Sequence, residues 1–89
     1  MLHVEALEVD DHILDKIEAK HGVTFREIEE VCFSPHHARR GREGLYRAFG
    51  QTEAGRYVLI ILANRGSGVW RIVTARQMTN DERRLYQRA

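Results

Sequence analysis

The sequence predicts an α+β fold with two N-terminal helices, an antiparallel sheet of three to four strands and a C-terminal helix. Apolar residues recur at helical spacing between residues 13 and 32, beside sequences that cap helices. Three strand-like segments joined by short turns follow between residues 45 and 76, and another capping sequence begins at Thr79. The length of 89 residues suits a single domain, residues 1–89.

The N-terminal part predicts an edge strand and a first helix. Leu2 to Val9 alternates loosely between apolar and polar residues, as a short strand at the edge of a sheet does. Asp10 and Asp11 then place acceptors and negative charge where a helix N-terminus binds them. Gly22 is an ordinary helix terminator and follows two lysines and a histidine, which favour a helix C-terminus. We therefore expect a helix between the acidic pair and Gly22.

A second helix is predicted to begin at Thr24, because Thr24 and Glu27 have the spacing of a capping box. Its buried face is predicted to consist of four residues: Phe25, Ile28, Val31 and Cys32. Pro35 ends this helix, since the residue before a proline disfavours the helical conformation. The basic stretch from Pro35 to Gly44 is predicted to be a loop.

Three strands are predicted next, at Leu45 to Thr52, Tyr57 to Ala63 and Val69 to Arg76. The short turns between them indicate an antiparallel meander. The middle segment is apolar throughout, so it should be a central strand covered on both faces. The last helix begins at the second capping box and runs toward Arg88. We expect the helices to lie together against one face of the sheet.

Several classes of protein are excluded by composition. The single cysteine, Cys32, cannot form an internal disulfide or a cysteine-based zinc site, which is typical of a reducing compartment. The longest apolar run, Tyr57 to Ala63, is too short to cross a bilayer. No secretory leader opens the sequence. We therefore expect a cytoplasmic protein that does not enter a membrane.

Charge is unevenly distributed along the chain. Residues 1–38 hold nine acidic and three basic side chains, a balance of −6, whereas residues 39–89 hold eleven arginines and four acidic side chains, a balance of +7. The formal net charge of +1 conceals this division. Because guanidinium groups bind phosphate oxygens two at a time, the second half predicts an anion-binding face.

The densest group of candidates for chemistry comes from two strands and the last helix: Arg47, Arg71, Arg76, Arg83 and Tyr86. Arg47 and Arg71 interrupt otherwise apolar strands, where their guanidinium groups would bind a sugar–phosphate backbone. Arg71 and Arg76 differ in parity along their strand. Both can therefore lie on one face only if the strand ends or bulges between them.

Each candidate also has a structural interpretation. An arginine of this group would be an ordinary solvated side chain, or would pair with the acidic first half. Tyr86 would either stack on an unpaired base or pack in the core. Glu82 would act as a general base or serve only in its capping box. His21 would either shuttle a proton or be a cation at a helix C-terminus.

The predicted basic loop holds two histidines and three arginines. His36 and His37 have no third ligand at a metal-binding spacing, so we expect no metal site there and no cofactor. Beside Arg39, Arg40 and Arg42, these histidines are better interpreted as part of a phosphate-binding rim.

Short motifs in the chain resemble a known family. In order, they are Lys-His-Gly-Val-Thr-Phe at residues 20–25, Gly50, Arg-Ile-Val-Thr-Ala-Arg at residues 71–76, Glu82-Arg83 and Tyr86. Together they resemble the BrnT family of bacterial type II toxins, over about Asp10 to Gln87. The resemblance implies a RelE-like fold, ribonuclease activity, and neutralisation by a ribbon-helix-helix (BrnA-like) antitoxin that also binds the operator.

We therefore interpret the chain as a metal-independent endoribonuclease, in which a ribose 2′-hydroxyl attacks the adjacent phosphate. The charge that stabilises the transition state is expected from three arginines: Arg47, Arg71 and Arg76. Guanidinium groups do not release a proton readily, so proton transfer is expected from one of three other residues: His21, Glu82 or Tyr86. RNA binding is expected from the remaining candidates: Arg39, Arg40, Arg42 and Arg83.

Two other functions stay open on the sequence alone. A nucleic-acid-binding module without catalysis would use the same basic face, and its binding would depend steeply on salt while the RNA stays intact. A protein-interaction domain would present its arginines to an acidic partner.

Overall fold

Three helices and five strands follow one another in the computed structural model, which describes residues 1–89. They are β1 (Ala6–Glu8), α1 (Asp11–His21), α2 (Phe25–Cys32), β2 (His37–Arg40), β3 (Leu45–Gln51), β4 (Tyr57–Gly66), β5 (Val69–Gln77) and α3 (Asn80–Arg88). A short 3-10 turn, Arg42–Gly44, joins β2 to β3. The predicted α+β class is confirmed. None of the helices combines the length and the apolar character needed to cross a membrane.

The strands form one five-stranded sheet in the order β1-β5-β4-β3-β2. The predicted meander is β3-β4-β5, and the N-terminal segment does join the edge of the sheet, but parallel to β5 and for only three residues. The fifth strand, β2, lies within the stretch predicted to be a loop. Its sequence, His-Ala-Arg-Arg, has no apolar alternation because β2 is an edge strand that pairs only with β3.

The first core lies between the sheet and the pair α1 and α2. It consists of buried residues from both helices, the turn between them and three strands: Ile17, Val23, Ile28, Val31, Cys32, Ala48, Val58, Ile60, Leu62, Trp70, Ile72 and Ala75. Both bonds of the capping box between Thr24 and Glu27 are present, and Gly22 ends α1 in the left-handed conformation, with φ of 63°. Burial raises the pKa of the Cys32 thiol to about 12.

A second, smaller apolar cluster lies on the opposite face of the sheet. Phe49, Leu59 and Met78 are buried there, and Tyr86 of α3 packs against them. The prediction that all helices lie against one face is therefore wrong for α3. Because β4 is apolar at successive positions, both of its faces need cover, and α3 covers the second. We call this second surface, with α3 on it, the α3 face.

A bulge in β5 places Arg71 and Arg76 on the same side of the sheet. Thr74 and Ile72 lie opposite consecutive residues of β4, so Val73 between them has no partner. The extra residue reverses the parity of β5, and both arginines consequently lie on the α3 face. The sequence analysis required an irregularity in the strand for Arg71 and Arg76 to share a face, and this bulge provides it.

Arg56 joins both helices of the first layer to the sheet. Its Nη1 and Nη2 atoms donate to the carbonyl oxygens of Gly22 (2.6 Å) and His21 (3.1 Å) at the end of α1. Nη1 also lies 3.2 Å from Oε1 of Glu27 in the α2 capping box, and Nη2 lies 3.5 Å from Oε1 of Gln77 in β5. A cation is favoured at a helix C-terminus, so one side chain holds three elements in position.

Gly50→Ala tests the packing of α2 against β3. A Cβ atom at Gly50 would lie 2.7 Å from Cγ1 of Val31, which is fully buried. We expect the substitution to lower the free energy of unfolding, measured in urea, by about 1–3 kcal/mol, since overpacking forces neighbouring atoms to move. In a Val31→Ala background the clashing methyl is absent, and the added cost of Gly50→Ala should shrink. An equal cost in both backgrounds would contradict this packing.

Candidate functional site

A cavity of about 350 Å³ opens on the α3 face, between the edge of the sheet and α3. Strands β2 and β3 supply one wall, with His37, Arg39, Arg47 and Phe49. Helix α3 and the chain end supply the other wall, with Glu82, Leu85, Tyr86, Arg88 and Ala89. Arginines and ionisable groups therefore surround a floor that is partly aromatic.

Two arginines lie directly opposite each other in this cavity. Arg39 of β2 and Arg47 of β3 are cross-strand partners, so their side chains leave the sheet on the same face. Both are exposed, and neither forms an ion pair or a side-chain hydrogen bond. Like charges at opposed positions destabilise a sheet, and Cβ atoms of such pairs are about 4.5–5.5 Å apart. This pair of uncompensated cations favours binding of an anion between them.

Glu82 is held between Arg76 and the start of α3. Its two carboxylate oxygens accept from Nη1 (2.7 Å) and Nη2 (2.8 Å) of Arg76, and Oε1 also accepts from the backbone N–H of Thr79 (2.9 Å). The hydrogen bond with Arg76 lowers the pKa of Glu82 and raises that of Arg76. Glu82 therefore serves its predicted capping box and stays ionised, while the guanidinium fork of Arg76 is occupied at the border of the cavity.

Tyr57 of β4 contacts three side chains of α3. The rings of Tyr57 and Tyr86 meet edge to face with centroids 5.9 Å apart, and the guanidinium carbon of Arg83 lies 4.1 Å from the Tyr57 centroid. Gln87 Nε2 donates to the Tyr57 hydroxyl at 3.1 Å. Tyr86 is thus half-buried against Tyr57 rather than against Leu85, which is 57% exposed, and it also lines the cavity.

Three of the proposed catalytic residues do not line this cavity: Arg76 lies at its border, and Arg71 and His21 lie away from it. Arg71 shares the α3 face but lies toward β1, where its guanidinium contacts Glu8 (Nη1–Oε1, 3.3 Å) and Asp10 (Nη2–Oδ2, 2.7 Å). This bond explains why Asp10 makes no side-chain cap to α1. His21 lines a separate cavity of about 150 Å³ between α1 and β5, together with Lys20 and others.

Of the residues proposed to bind RNA, only Arg39 lines the cavity; Arg83 lies beside it, and Arg40 and Arg42 lie elsewhere. Arg40 lies on the helix side of the sheet edge, opposite Tyr46 in register and 5.9 Å from the centroid of its ring. Arg42 is exposed in the 3-10 turn. The structure therefore brings four of the predicted residues into one cavity, with Arg76 and Arg83 beside it: Arg39, Arg47, Glu82 and Tyr86.

The eleven arginines of residues 39–89 divide into two groups. Five form ion pairs with carboxylates: Arg56, Arg65, Arg71, Arg76 and Arg84. The partners of three of these belong to residues 1–38, as one of the sequence-based alternatives proposed. Six form no ion pair, and Arg39, Arg47 and Arg88 among them line the cavity. The free positive charge is therefore concentrated where the cavity opens.

Arg88 is a cavity residue that the sequence does not assign to the site, whereas His37 is predicted only as part of a phosphate-binding rim. The sequence predicts His36 and His37 together on one rim; both line a neighbouring cavity of about 370 Å³, but His36 is the more buried of the two. His36 is 8% exposed; its Nε2 accepts from the backbone N–H of Leu2 (3.1 Å) and its Nδ1 donates to the carbonyl of Ser34 (2.8 Å). His37 and Arg39 are two residues apart in β2, so their side chains lie on the same face of the sheet. The sequence predicts this only if residues 37–40 are recognised as a strand.

Together, the fold and the cavity define a small α+β protein with a cationic binding site on one sheet face. Residues 10–82 match the sequence profile of the family described as the ribonuclease toxin, BrnT, of type II toxin–antitoxin systems, and the chain belongs to this family. The motif-based resemblance is thereby confirmed. No curated protein sequence matches the chain.

A solved structure shares the fold. It is the crystal structure of the Brucella abortus ribonuclease toxin, BrnT, which superposes with a TM-score of 0.72 at 17% sequence identity. The match covers 84% of this chain and 97% of the Brucella chain. At this identity the likeness establishes the architecture, which agrees with the α+β fold predicted from the sequence.

Glu82→Gln tests the contact between α3 and β5. A folded-state pKa below the ordinary glutamate value of about 4.3 means that Glu82 adds stability above that pH and loses it as the pH falls through the lowered pKa. Glutamine keeps an acceptor for Thr79 but loses the ion pair. We expect urea unfolding to show a stability deficit for the variant at neutral pH that closes in acid.

Glu18→Gln is the matched control, because Glu18 is exposed on α1 and makes no side-chain bond. Its stability relative to the wild type should change little between neutral and acidic pH. A deficit for Glu82→Gln that stays constant across the pH range would contradict the role given to the Arg76 pair.

Proposed function

We propose that this member of the family is an endoribonuclease that binds an RNA phosphate between Arg39 and Arg47. One observation carries the proposal: two arginines face each other across neighbouring strands, line a cavity and have no carboxylate partner. An RNA phosphate would remove the like-charge repulsion and accept hydrogen bonds from both guanidinium groups. The family description, a ribonuclease toxin, supports RNA as the ligand.

The reaction is cleavage by the substrate's own 2′-hydroxyl. The 2′-oxygen attacks the adjacent phosphorus, the bond from phosphorus to the 5′-oxygen breaks, and a 2′,3′-cyclic phosphate and a 5′-hydroxyl result. No protein nucleophile is needed, so the enzyme supplies positioning, proton transfer and charge. Arg39 and Arg47 donate to the non-bridging oxygens, on which negative charge grows in the transition state. In this proposal the arginines, rather than a metal ion, provide that charge.

The other predicted residues receive roles that follow from their contacts. Tyr86 offers a cavity-facing ring on which an unpaired base stacks. Arg76 fixes α3 through Glu82 and so positions the second wall of the cavity. Arg83 extends the positive surface beside Tyr57. Arg71 holds β1 and the start of α1, so its removal should affect stability more than RNA binding.

The proposed setting is a type II toxin–antitoxin pair in the cytoplasm. Family membership implies an antitoxin protein, and we expect a ribbon-helix-helix (BrnA-like) partner that neutralises the toxin. An antitoxin that carries acidic side chains would match the cationic cavity and would compete with RNA for it.

Cleavage of RNA by the purified protein, in the presence of EDTA, tests the proposal. We expect Arg39→Ala and Arg47→Ala each to reduce kcat/KM by about 100-fold, the usual loss for one donor to a developing oxyanion. Each should also reduce the slope of log affinity against log salt by about 0.7 for single-stranded RNA. Expression without an antitoxin should arrest growth for the wild type and not for the double variant.

Arg84→Ala is the matched control, because Arg84 is exposed on α3, pairs with Asp81 and does not line the cavity. It should retain activity and salt dependence. Full activity of the Arg39→Ala/Arg47→Ala variant would contradict the phosphate site, and loss of cleavage in EDTA would contradict the metal-independent step. Tight, salt-dependent binding with intact RNA would identify a binding module instead.

A further inference from the structure

We propose that His37 is the group that accepts the proton of the attacking 2′-hydroxyl, at a junction between two adjoining cavities that hold the nucleosides on either side of the scissile phosphate. This inference rests on the proposed function and adds a proton-transfer residue and a substrate path to it. Neither follows from the residues that the sequence motifs share with the family.

The path is formed by a second, more open cavity of about 370 Å³ beside the first. It is lined by Pro35, His36, His37, Tyr86, Gln87 and Ala89. His37, Tyr86 and Ala89 line both cavities, so they stand where the two meet. An RNA strand that occupies both cavities would pass this junction, beside His37 and Tyr86. Its phosphodiester would lie at the junction, and the first cavity adds Arg39 and Arg47 to hold it.

His37 is the histidine of the two cavities whose ring nitrogens are free to take up a proton. Its ring makes no hydrogen bond and no ion pair, and packs 6.4 Å from the ring of Phe49, which leaves both nitrogens available. His36, by contrast, uses both nitrogens in bonds to the main chain. Glu82 is ionised and already bonded to Arg76 and Thr79. Guanidinium groups keep their protons, whereas imidazole exchanges its proton readily.

The proton balance is simple. The imidazole of His37 takes the proton of the 2′-hydroxyl while the 2′-oxygen bonds to phosphorus, and the departing 5′-oxygen takes a proton from water in the open second cavity. The imidazolium then gives its proton to the hydroxide that remains. The charged or titratable side chains that share the two cavities with His37 are Arg39, Arg47, Glu82, Tyr86, Arg88 and His36.

His37→Ala tests the inference by single-turnover cleavage of an oligoribonucleotide across the pH range. We expect the rate to fall about 100-fold or more while KM changes little, as for loss of a general base. The limb of the wild-type pH profile that reports protonation of the general base should disappear in the variant. Added free imidazole should restore part of the rate, which a merely structural role would not allow. His12→Ala, an exposed histidine of α1, is the matched control and should behave as wild type.

Two further arms separate the possible failures. Binding of a 2′-deoxy oligonucleotide by His37→Ala shows that the cavity is still folded, and His37→Gln repeats the test if the alanine variant does not fold. If the wild type cleaves RNA and His37→Ala cleaves it with the same rate and pH profile, the role of His37 is overturned, whereas the proposed function is not. Wild-type protein that cleaves no RNA overturns the proposed function itself.

Discussion

The fold depends on a central strand that is apolar on both sides. Val58 and Ile60 of β4 enter the core below α1 and α2, whereas Leu59 and Ile61 belong to the cluster on the other face. Burying each such side chain contributes about 1.5–3 kcal/mol, so neither face can be left in water without a large loss of stability. Helix α3 therefore packs on the face opposite α1 and α2, and in that position it forms the second wall of the cavity.

Charge then decides how that cavity is used. Arg56, Arg65 and Arg71 are neutralised by carboxylates of the N-terminal half, and these contacts hold β1, α1 and α2 to the sheet. Arg39 and Arg47 have no such partner and lie side by side, on the edge strand β2 and on its neighbour β3. The uneven charge of the sequence thus resolves into a structural set of arginines and a free set, and the proposed phosphate site draws Arg39 and Arg47 from the free set.

Features set by neighbouring residues could be predicted from the sequence, whereas features set by contacts between distant parts of the chain could not. The capping boxes at Thr24 and Thr79 depend on neighbouring residues alone, so helix starts were predictable. The short polar strand β2 carries no periodic signal, because its order comes from hydrogen bonds to β3. The side of the sheet on which α3 lies, and the pairing of Arg71 with Asp10, depend on tertiary packing across the whole chain. For the same reason the sequence predicts Arg39 and Arg47 as separate site residues but does not predict that they face each other across two strands.

The most direct test of the central claim is a crystal structure of the protein with a 2′-deoxy dinucleotide, which can bind and cannot be cleaved by 2′-oxygen attack. The account predicts its phosphate within hydrogen-bond distance of both Arg39 and Arg47, beside His37, with one nucleoside in each cavity. A phosphate bound instead among the paired arginines near β1, with both cavities left without ligand, would contradict it.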